Sequence, residues 1–400
     1  MRDPGYADTM NVLIQWTENG QPRSAEWRSE AGVPPPKQVE VGDDRMSADA
    51  AFRLIRAGAS ILWRGDYHNA RQLMSALARR VDRPSRAPGS NRPPAGAETS
   101  LPRAFELTRR AQARRAELLG RLLLPYDAGY VIPLRRAPDV RQACREAYGE
   151  DDAPFVASLR EQLGIIGAHE WRKKGVEIVA LGARIHPHYG VFAPIRQEYV
   201  DLVARAPLPS KALAFDIGTG TGVLAAVFAK RGVIKVIATD DDPRALDCAA
   251  ENIARLKLAD RVEVVRADLF PPGRAPLVVC NPPWVPATPS SRLERAVYDP
   301  ESRMLRGFLA GVAAHLTTDG EGWLILSDLA EHLGLRERED LLGWIDQAGL
   351  SVVDRLDAKP AHKRAADTDD PLHAARAAEV TSLWRLAQRG KPRMTRPEAS

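Results

Sequence analysis

Cysteine is scarce in this chain, with only Cys144, Cys248 and Cys280 among 400 residues. The three are scattered and show neither metal-ligand spacing nor an even framework, which excludes a disulfide-stapled fold and a structural zinc site. Cys280 closes an apolar run and reads as a small buried residue. Long hydrophobic stretches are also missing. No run reaches about eighteen apolar residues, so no membrane-spanning helix is expected. The first twenty residues are mixed and polar, which argues against a secretory signal and for a cytoplasmic protein. Charge of one sign is not in large excess: the formal net charge is +5, with 44% hydrophobic and 27% charged residues. That is a globular composition, and the length allows two or three domains.

The charge is unevenly placed. Eleven arginines stand between Ala76 and Pro125 against four acids, Asp82, Glu98, Glu106 and Glu117. Arg109, Arg110, Arg114 and Arg115 fall at helical spacing, and a basic stripe of this kind can track phosphates. A solvated, arginine-rich helix accounts for the stretch equally well.

The chemistry is concentrated further on. Residues 212–215 are apolar and lead into Asp216-Ile-Gly-Thr-Gly-Thr-Gly222. They read as a buried strand followed by a glycine turn and a helix over 223–230. Gly218, Gly220 and Gly222 allow backbone dihedrals closed to other residues, and they let a ligand approach the main chain. A second strand over 233–239 ends in Asp240-Asp241-Asp242. This strand–loop–helix–strand–acid order suits a nucleoside, with the acid accepting from ribose hydroxyls. A dinucleotide fits poorly, because Asp216 would repel a pyrophosphate. The same carboxylate favours a ligand carrying a positive sulfonium and a free amine.

About sixty positions later comes Asn281-Pro282-Pro283-Trp284, after an apolar strand over 275–280. Asn281 Oδ1 and the Pro282 carbonyl can accept from the N–H groups of a planar amine. That favours the more sp³-like nitrogen of a methyl-transfer transition state. Two successive prolines stiffen the loop. Trp284 offers a flat face for positioning the target, so no strong general base is needed.

The glycine loop resembles the first motif of class I S-adenosylmethionine-dependent methyltransferases. The Asn-Pro-Pro-Trp segment resembles the motif shared by N6-adenine methyltransferases, guanine-N2 ribosomal RNA methyltransferases and release-factor glutamine methyltransferases. Those families most often carry Tyr or Phe at the last position. The resemblance implies a seven-stranded, Rossmann-like α/β sheet with an antiparallel last strand, and S-adenosylmethionine as cofactor. It implies that Asp216, Gly218, Thr219, Gly220 and Gly222 lie along the methionine part of the cofactor. Asp240 would take the ribose, with Asp241 as its rival. Asp268 and Leu269, which close a third strand over 261–267, would take the adenine. Asn281, Pro282 and Trp284 would be catalytic, with Asn281 also facing the cofactor. Tyr189, Phe192, Arg196 and Pro283 are the substrate-side candidates, and Gly190-Val-Phe192 resembles a stretch of the guanine-N2 enzymes. His186 and His188 lack a third partner, so they read as turn residues and no metal is expected.

The organisation follows. Residues 1–45 are weakly patterned, and 46–174 are expected to be mostly helical, interrupted by a Pro/Gly/Ser-rich linker over 83–102. Within that region helices are expected on both sides of Gly58, over 102–124, and with breaks over 137–163. The catalytic domain is expected over 175–388, with a polar loop over 359–378, and 389–400 form a tail. Its later elements are helices over 301–316 and 336–348 and strands over 322–327, 351–356 and 380–386. The substrate expected from the arginine stretch and the Gly-Val-Phe lead-in is a base amine in RNA, ribosomal RNA first. A glutamine of a translation protein is the alternative. A vestigial binding module is disfavoured by the intact acids, glycines and Asn281.

Overall fold

The structure is a computed structural model and describes residues 12–83, 100–150, 153–289, 293–360, 367–368 and 370–390. Residues 1–11, most of the expected linker and most of the expected tail lie outside the described residues. The chain divides into two compact units, Met1–Glu98 with Leu107–Glu170, and Thr99–Glu106 with Trp171–Ser400.

The first unit is α/β: helices occupy much of 46–174 as expected, but the unit also holds a sheet that was not expected. Its strands are β1 (Leu13–Glu18), β2 (Gln21–Trp27), β3 (Val39–Gly42), β4 (Ser60–Trp63), β5 (Leu122–Tyr126) and β6 (Phe155–Ser158). They form one six-stranded sheet in the order β1-β2-β6-β5-β4-β3. The helices are α1 (Ala48–Arg56), α2 (Tyr67–Val81), α3 (Leu101–Gly120), α4 (Arg141–Tyr148) and α5 (Leu159–Lys174). Thus Ile61 and Leu62 lie in a strand rather than a helix, α3 ends before Leu122, and the 137–163 segment contains β6.

The physical reason is burial on both faces. Ile61, Trp63, Leu122, Leu124 and Phe155 join the core under α1 and α2, while Leu62, Leu123 and Val156 pack on the opposite side. A strand buried on both faces reads as a continuous apolar run. At four or five residues, such a run has no period that separates it from helix. The weakly patterned start is also folded from residue 13 on. Glu18 pairs with Gln21 across Asn19-Gly20, whose φ angles of 53° and 76° make the tight turn that an Asn-Gly pair favours.

In the second unit β7 (Val176–Ile178) and β8 (Ala183–Ile185) form a small antiparallel pair, followed by α6 (Glu198–Arg205). Then come β9 (Leu213–Ile217), α7 (Val223–Lys230), β10 (Lys235–Asp240), α8 (Pro243–Arg255), β11 (Val262–Arg266) and β12 (Ala275–Cys280). The chain closes with α9 (Arg303–His315), β13 (Leu316–Ser327), α10 (Leu329–His332), α11 (Arg338–Gln347), β14 (Leu350–Ala358), α12 (His373–Ala378) and β15 (Thr381–Gln388). Helix α12 occupies part of the segment expected to be a loop.

The seven-stranded sheet runs β11-β10-β9-β12-β13-β15-β14, and β15 is antiparallel to both its neighbours. This is the class I methyltransferase sheet that the sequence motifs imply. Successive residues of the central strands feed opposite cores: Leu277, Val279, Trp323 and Ile325 on one face, Val278, Cys280, Leu324 and Leu326 on the other. Helices pack on both faces, and in sheets of this kind ligands bind at the carboxyl ends of the parallel strands. The glycine turn follows β9 there, Asp240 ends β10, and Asn281 follows β12.

Leu324 is fully buried in the core beside α9. Leu324→Ala is expected to destabilise this unit by about 3 kcal/mol, the usual scale for a truncated core leucine. Urea denaturation followed by tryptophan fluorescence checks this.

Candidate active site

The site is built on Asp216. It lies in the middle of the sheet, in register with Ala238 of β10 and Val279 of β12, and is 1% exposed. Its carboxylate accepts from Thr219 Oγ1 at 2.6 Å and from the Ala225 amide at 3.1 Å, bridging the glycine turn and the first turn of α7. Burial, reinforced by the negative charge of Asp240, pushes its pKa up to about 6.

The turn has the strained conformation that its glycines permit. Gly218, Gly220 and Gly222 have φ of 68°, 55° and 79°. A Cβ on Gly218 would come 2.5 Å from Cε of Met304, and one on Gly222 would come 3.2 Å from Cα of Ala249. Among the described residues, nothing lies within 4 Å of a Cβ placed on Gly220. The loop is therefore packed from below and open at its middle residue, which fits a ligand that approaches the main chain there.

Asp240 and Asp242 play different parts. Asp240 Oδ2 accepts from the Gly220 amide at 3.0 Å, next to that opening, and burial raises its pKa. Asp242 caps α8, accepting from the Arg244 amide at 2.9 Å. Asp241 is exposed. Of the two rivals for a ribose, the geometry favours Asp240. After β11, Asp268 is exposed, and Leu269 takes φ 66° while its carbonyl accepts from Thr239 Oγ1 at 2.6 Å. That bond holds the Asp268-Leu269 turn to the end of β10.

Around Asn281 the side chains are more committed than their sequence suggests. Trp284 Nε1 donates to Asn281 Oδ1 at 2.8 Å. Pro282 is buried, and Pro283 is half-buried. The guanidinium carbon of Arg196 lies 4.7 Å from the centroid of the Trp284 ring. Arg196 also donates to Glu198 at 2.6 Å, to Glu379 at 2.9 Å and to Thr381 Oγ1 at 3.3 Å. Of the other substrate-side candidates, Tyr189 has Arg244 5.7 Å from its ring centroid, and Phe192 is 38% exposed. His186 and His188 brace the approach segment: His186 Nδ1 meets the Arg172 carbonyl at 2.6 Å and His188 Nε2 meets Glu251 at 2.7 Å.

Sequence reasoning passed over Asp299 and Met304. Asp299 is 6% exposed and caps the start of α9, accepting from the amides of Met304 at 2.9 Å and Leu305 at 3.2 Å. Its own amide donates to the Val285 carbonyl at 2.9 Å, one residue past Trp284. The Asp-Pro pair just ahead of an apolar helix was the available signal. Nothing local marks Met304 as the residue under Gly218.

Residues 203–283, which span the glycine turn, the acids and Asn-Pro-Pro, match the model of the ribosomal protein L11 methyltransferase (PrmA) family. Among curated proteins, the release factor glutamine methyltransferase of Cereibacter sphaeroides is 33% identical over 180 residues, 40% of this chain and 60% of the relative. The tRNA1(Val) (adenine(37)-N6)-methyltransferase of Vibrio parahaemolyticus is 38% identical over 95 residues, 23% of this chain and 40% of the relative. The ribosomal protein L11 methyltransferase of Sorangium cellulosum is 29% identical over 212 residues, 51% of this chain and 57% of the relative. The chain thus spans 40% to 60% of the length of these relatives. Sheet order, motif order and relatives agree on the class: the second unit has the fold and motifs of a class I S-adenosylmethionine-dependent methyltransferase. The likeness runs across enzymes named for different targets.

Two expectations follow. Gly220→Val places a side chain in the open space at a left-handed position, so S-adenosylmethionine binding measured by calorimetry should be lost while the protein stays folded. The second concerns Asp216. A cationic ligand beside it favours the ionised carboxylate, so binding below pH 6 must first release a proton. Affinity should then level off above about pH 6 and weaken on the order of tenfold per pH unit below it. Calorimetry across pH 4.5 to 7.5, in buffers of different ionisation enthalpy, counts the proton.

Proposed function

We propose that the protein is an S-adenosylmethionine-dependent N-methyltransferase acting on an exocyclic base amine in RNA, with ribosomal RNA the first target to test and the cytoplasm its place of action. The observation that carries the reaction class is the position of Asn281. It follows Cys280, which is in register with Ile217 of β9, so the backbone of the motif leaves the sheet next to the start of the glycine turn, and this supports the reading. Asp216, Gly220 and Asp240 would hold that cofactor, with the Asp268-Leu269 turn under its base. When bound it supplies an electrophilic methyl group on a sulfonium.

The chain's own part is orientation. Asn281 Oδ1 has one lone pair directed to Trp284 and a second to offer a target N–H. The Pro282 carbonyl, stiffened between two prolines, is the other acceptor. Together they draw electron density onto a nitrogen otherwise delocalised into its π system. A target nitrogen held by these two acceptors would be aligned with that methyl group, and the proton it sheds on methylation would leave to solvent. No side chain here needs to act as a strong base.

For RNA, the supporting features are exposed Arg110, Arg114 and Arg115 on α3 and a relative named for adenine methylation in tRNA. A second reading, methylation of a glutamine amide in a translation protein, has its own support. A relative is named for that reaction, and Arg196 covers one face of Trp284, which suits a side-chain amide as well as a base.

Asn281→Ala should leave cofactor affinity nearly unchanged and lower turnover by about 3 kcal/mol in activation free energy, the scale of one lost transition-state hydrogen bond. The assay is transfer of labelled methyl to an extract of cells lacking this protein, with the product split by nuclease and protease. Nuclease-sensitive label supports RNA, and protease-sensitive label moves the assignment to glutamine. No label in either fraction overturns the methyltransferase reading.

A further inference from the structure

Trp284 stands where the related motif most often carries Tyr or Phe, and neither of those rings has an indole N–H to offer. Here that N–H donates to Asn281 Oδ1 at 2.8 Å. An indole nitrogen is a donor only, so its partner on the amide must be the oxygen. The contact therefore fixes which way the Asn281 amide faces. Without it the amide can turn over and present its NH₂ group, which cannot accept from a target amine.

The indole is held in turn. Arg196 lies over one ring face at 4.7 Å, a cation–π distance. Its guanidinium is anchored by Glu198, Glu379 and Thr381. Glu379 is 1% exposed and also accepts from Ser327 Oγ at 2.5 Å. Ser327 ends β13 and Thr381 begins β15, so this clamp is fastened to the sheet itself.

We propose that Trp284 is a positioning residue that sets the orientation of the Asn281 amide through its indole N–H, with Arg196 clamping the ring. This rests on the reading of Asn281 as the acceptor for the target amine. It also closes one face of the ring to a planar target, because Arg196 covers it.

The test has two arms, both on the full chain with S-adenosylhomocysteine bound or S-adenosylmethionine supplied. In the first, protein labelled with ¹⁵N at its tryptophans is examined by NMR, with the Trp284 indole signal assigned by its loss in Trp284→Phe. Asn281→Ala should shift that signal upfield and speed its exchange with solvent, and Arg196→Met should broaden it. An indole signal unmoved by Asn281→Ala overturns the proposal. This arm does not depend on Trp284→Phe being active.

In the second arm, labelled methyl transfer to the extract of cells lacking the protein is compared among the single and double variants. Trp284→Phe should lower transfer on the order of tenfold or more with S-adenosylhomocysteine affinity unchanged. It should cost nothing further in an Asn281→Ala background, because the amide it orients is gone. Losses that multiply would mean that the ring acts only by stacking, and they overturn the proposal while leaving the acceptor reading of Asn281 in place. If Asn281→Ala alone leaves transfer intact, the acceptor reading fails and this proposal falls with it.

Discussion

The site depends on a carboxylate buried where water cannot reach it. Asp216 is kept among the parallel strands of the sheet by two bonds, one from the hydroxyl of Thr219 and one from the Ala225 amide. Burying such a group is costly unless its acceptors are satisfied, so the turn between β9 and α7 must fold back on it. That requirement places Gly218, Gly220 and Gly222 in left-handed conformations and leaves the Gly220 amide for Asp240. The opening over Gly220 is what remains once these bonds are made. A ligand with positive charge would complete the arrangement, because it would compensate a buried carboxylate whose bonds come from a hydroxyl and an amide.

A second layer of the design is the way flexible groups are held by groups already fixed in the sheet. Asn281 is held by Trp284, Trp284 is covered by Arg196, and Arg196 is tied to residues at the ends of β13 and β15. Each step hands rigidity outward from a strand to a side chain that would otherwise rotate. Catalysis by orientation depends on such supports more than on the acidity of any one group.

Much of the candidate site was legible in the sequence because its residues are close in sequence. Asp216 through Gly222 form one continuous turn, Asp240 is the last residue of the next strand, and Asn281 through Trp284 are contiguous. The seven-stranded sheet with an antiparallel last strand was implied by the family that these motifs resemble. What could not be read comes from contacts across long separations. Arg196 meets Glu379 across 183 positions, and Met304 reaches under Gly218 with no local mark. The first unit was misread for a different reason. Its strands β4, β5 and β6 are short and apolar on both faces, so periodicity was silent, and lone helices α1 and α2 carried the visible pattern. The Asn19-Gly20 hairpin went unread because β2 is largely polar and exposed, although Ile14 of β1 is buried with Trp16, Ala25 and Trp27 beside it.

Asp299 joins two regions that would otherwise be treated separately. Its carboxylate holds the first turn of α9, whose Met304 fills the space beneath Gly218, and its amide is bonded to Val285 beside the aromatic motif. Glu301 and Ser302 between them take left-handed conformations, so this corner has little slack. The floor of the glycine turn and the Asn-Pro-Pro-Trp segment are thus two ends of one short bracket. A change at either end is therefore felt at the other, through a corner that belongs to neither motif.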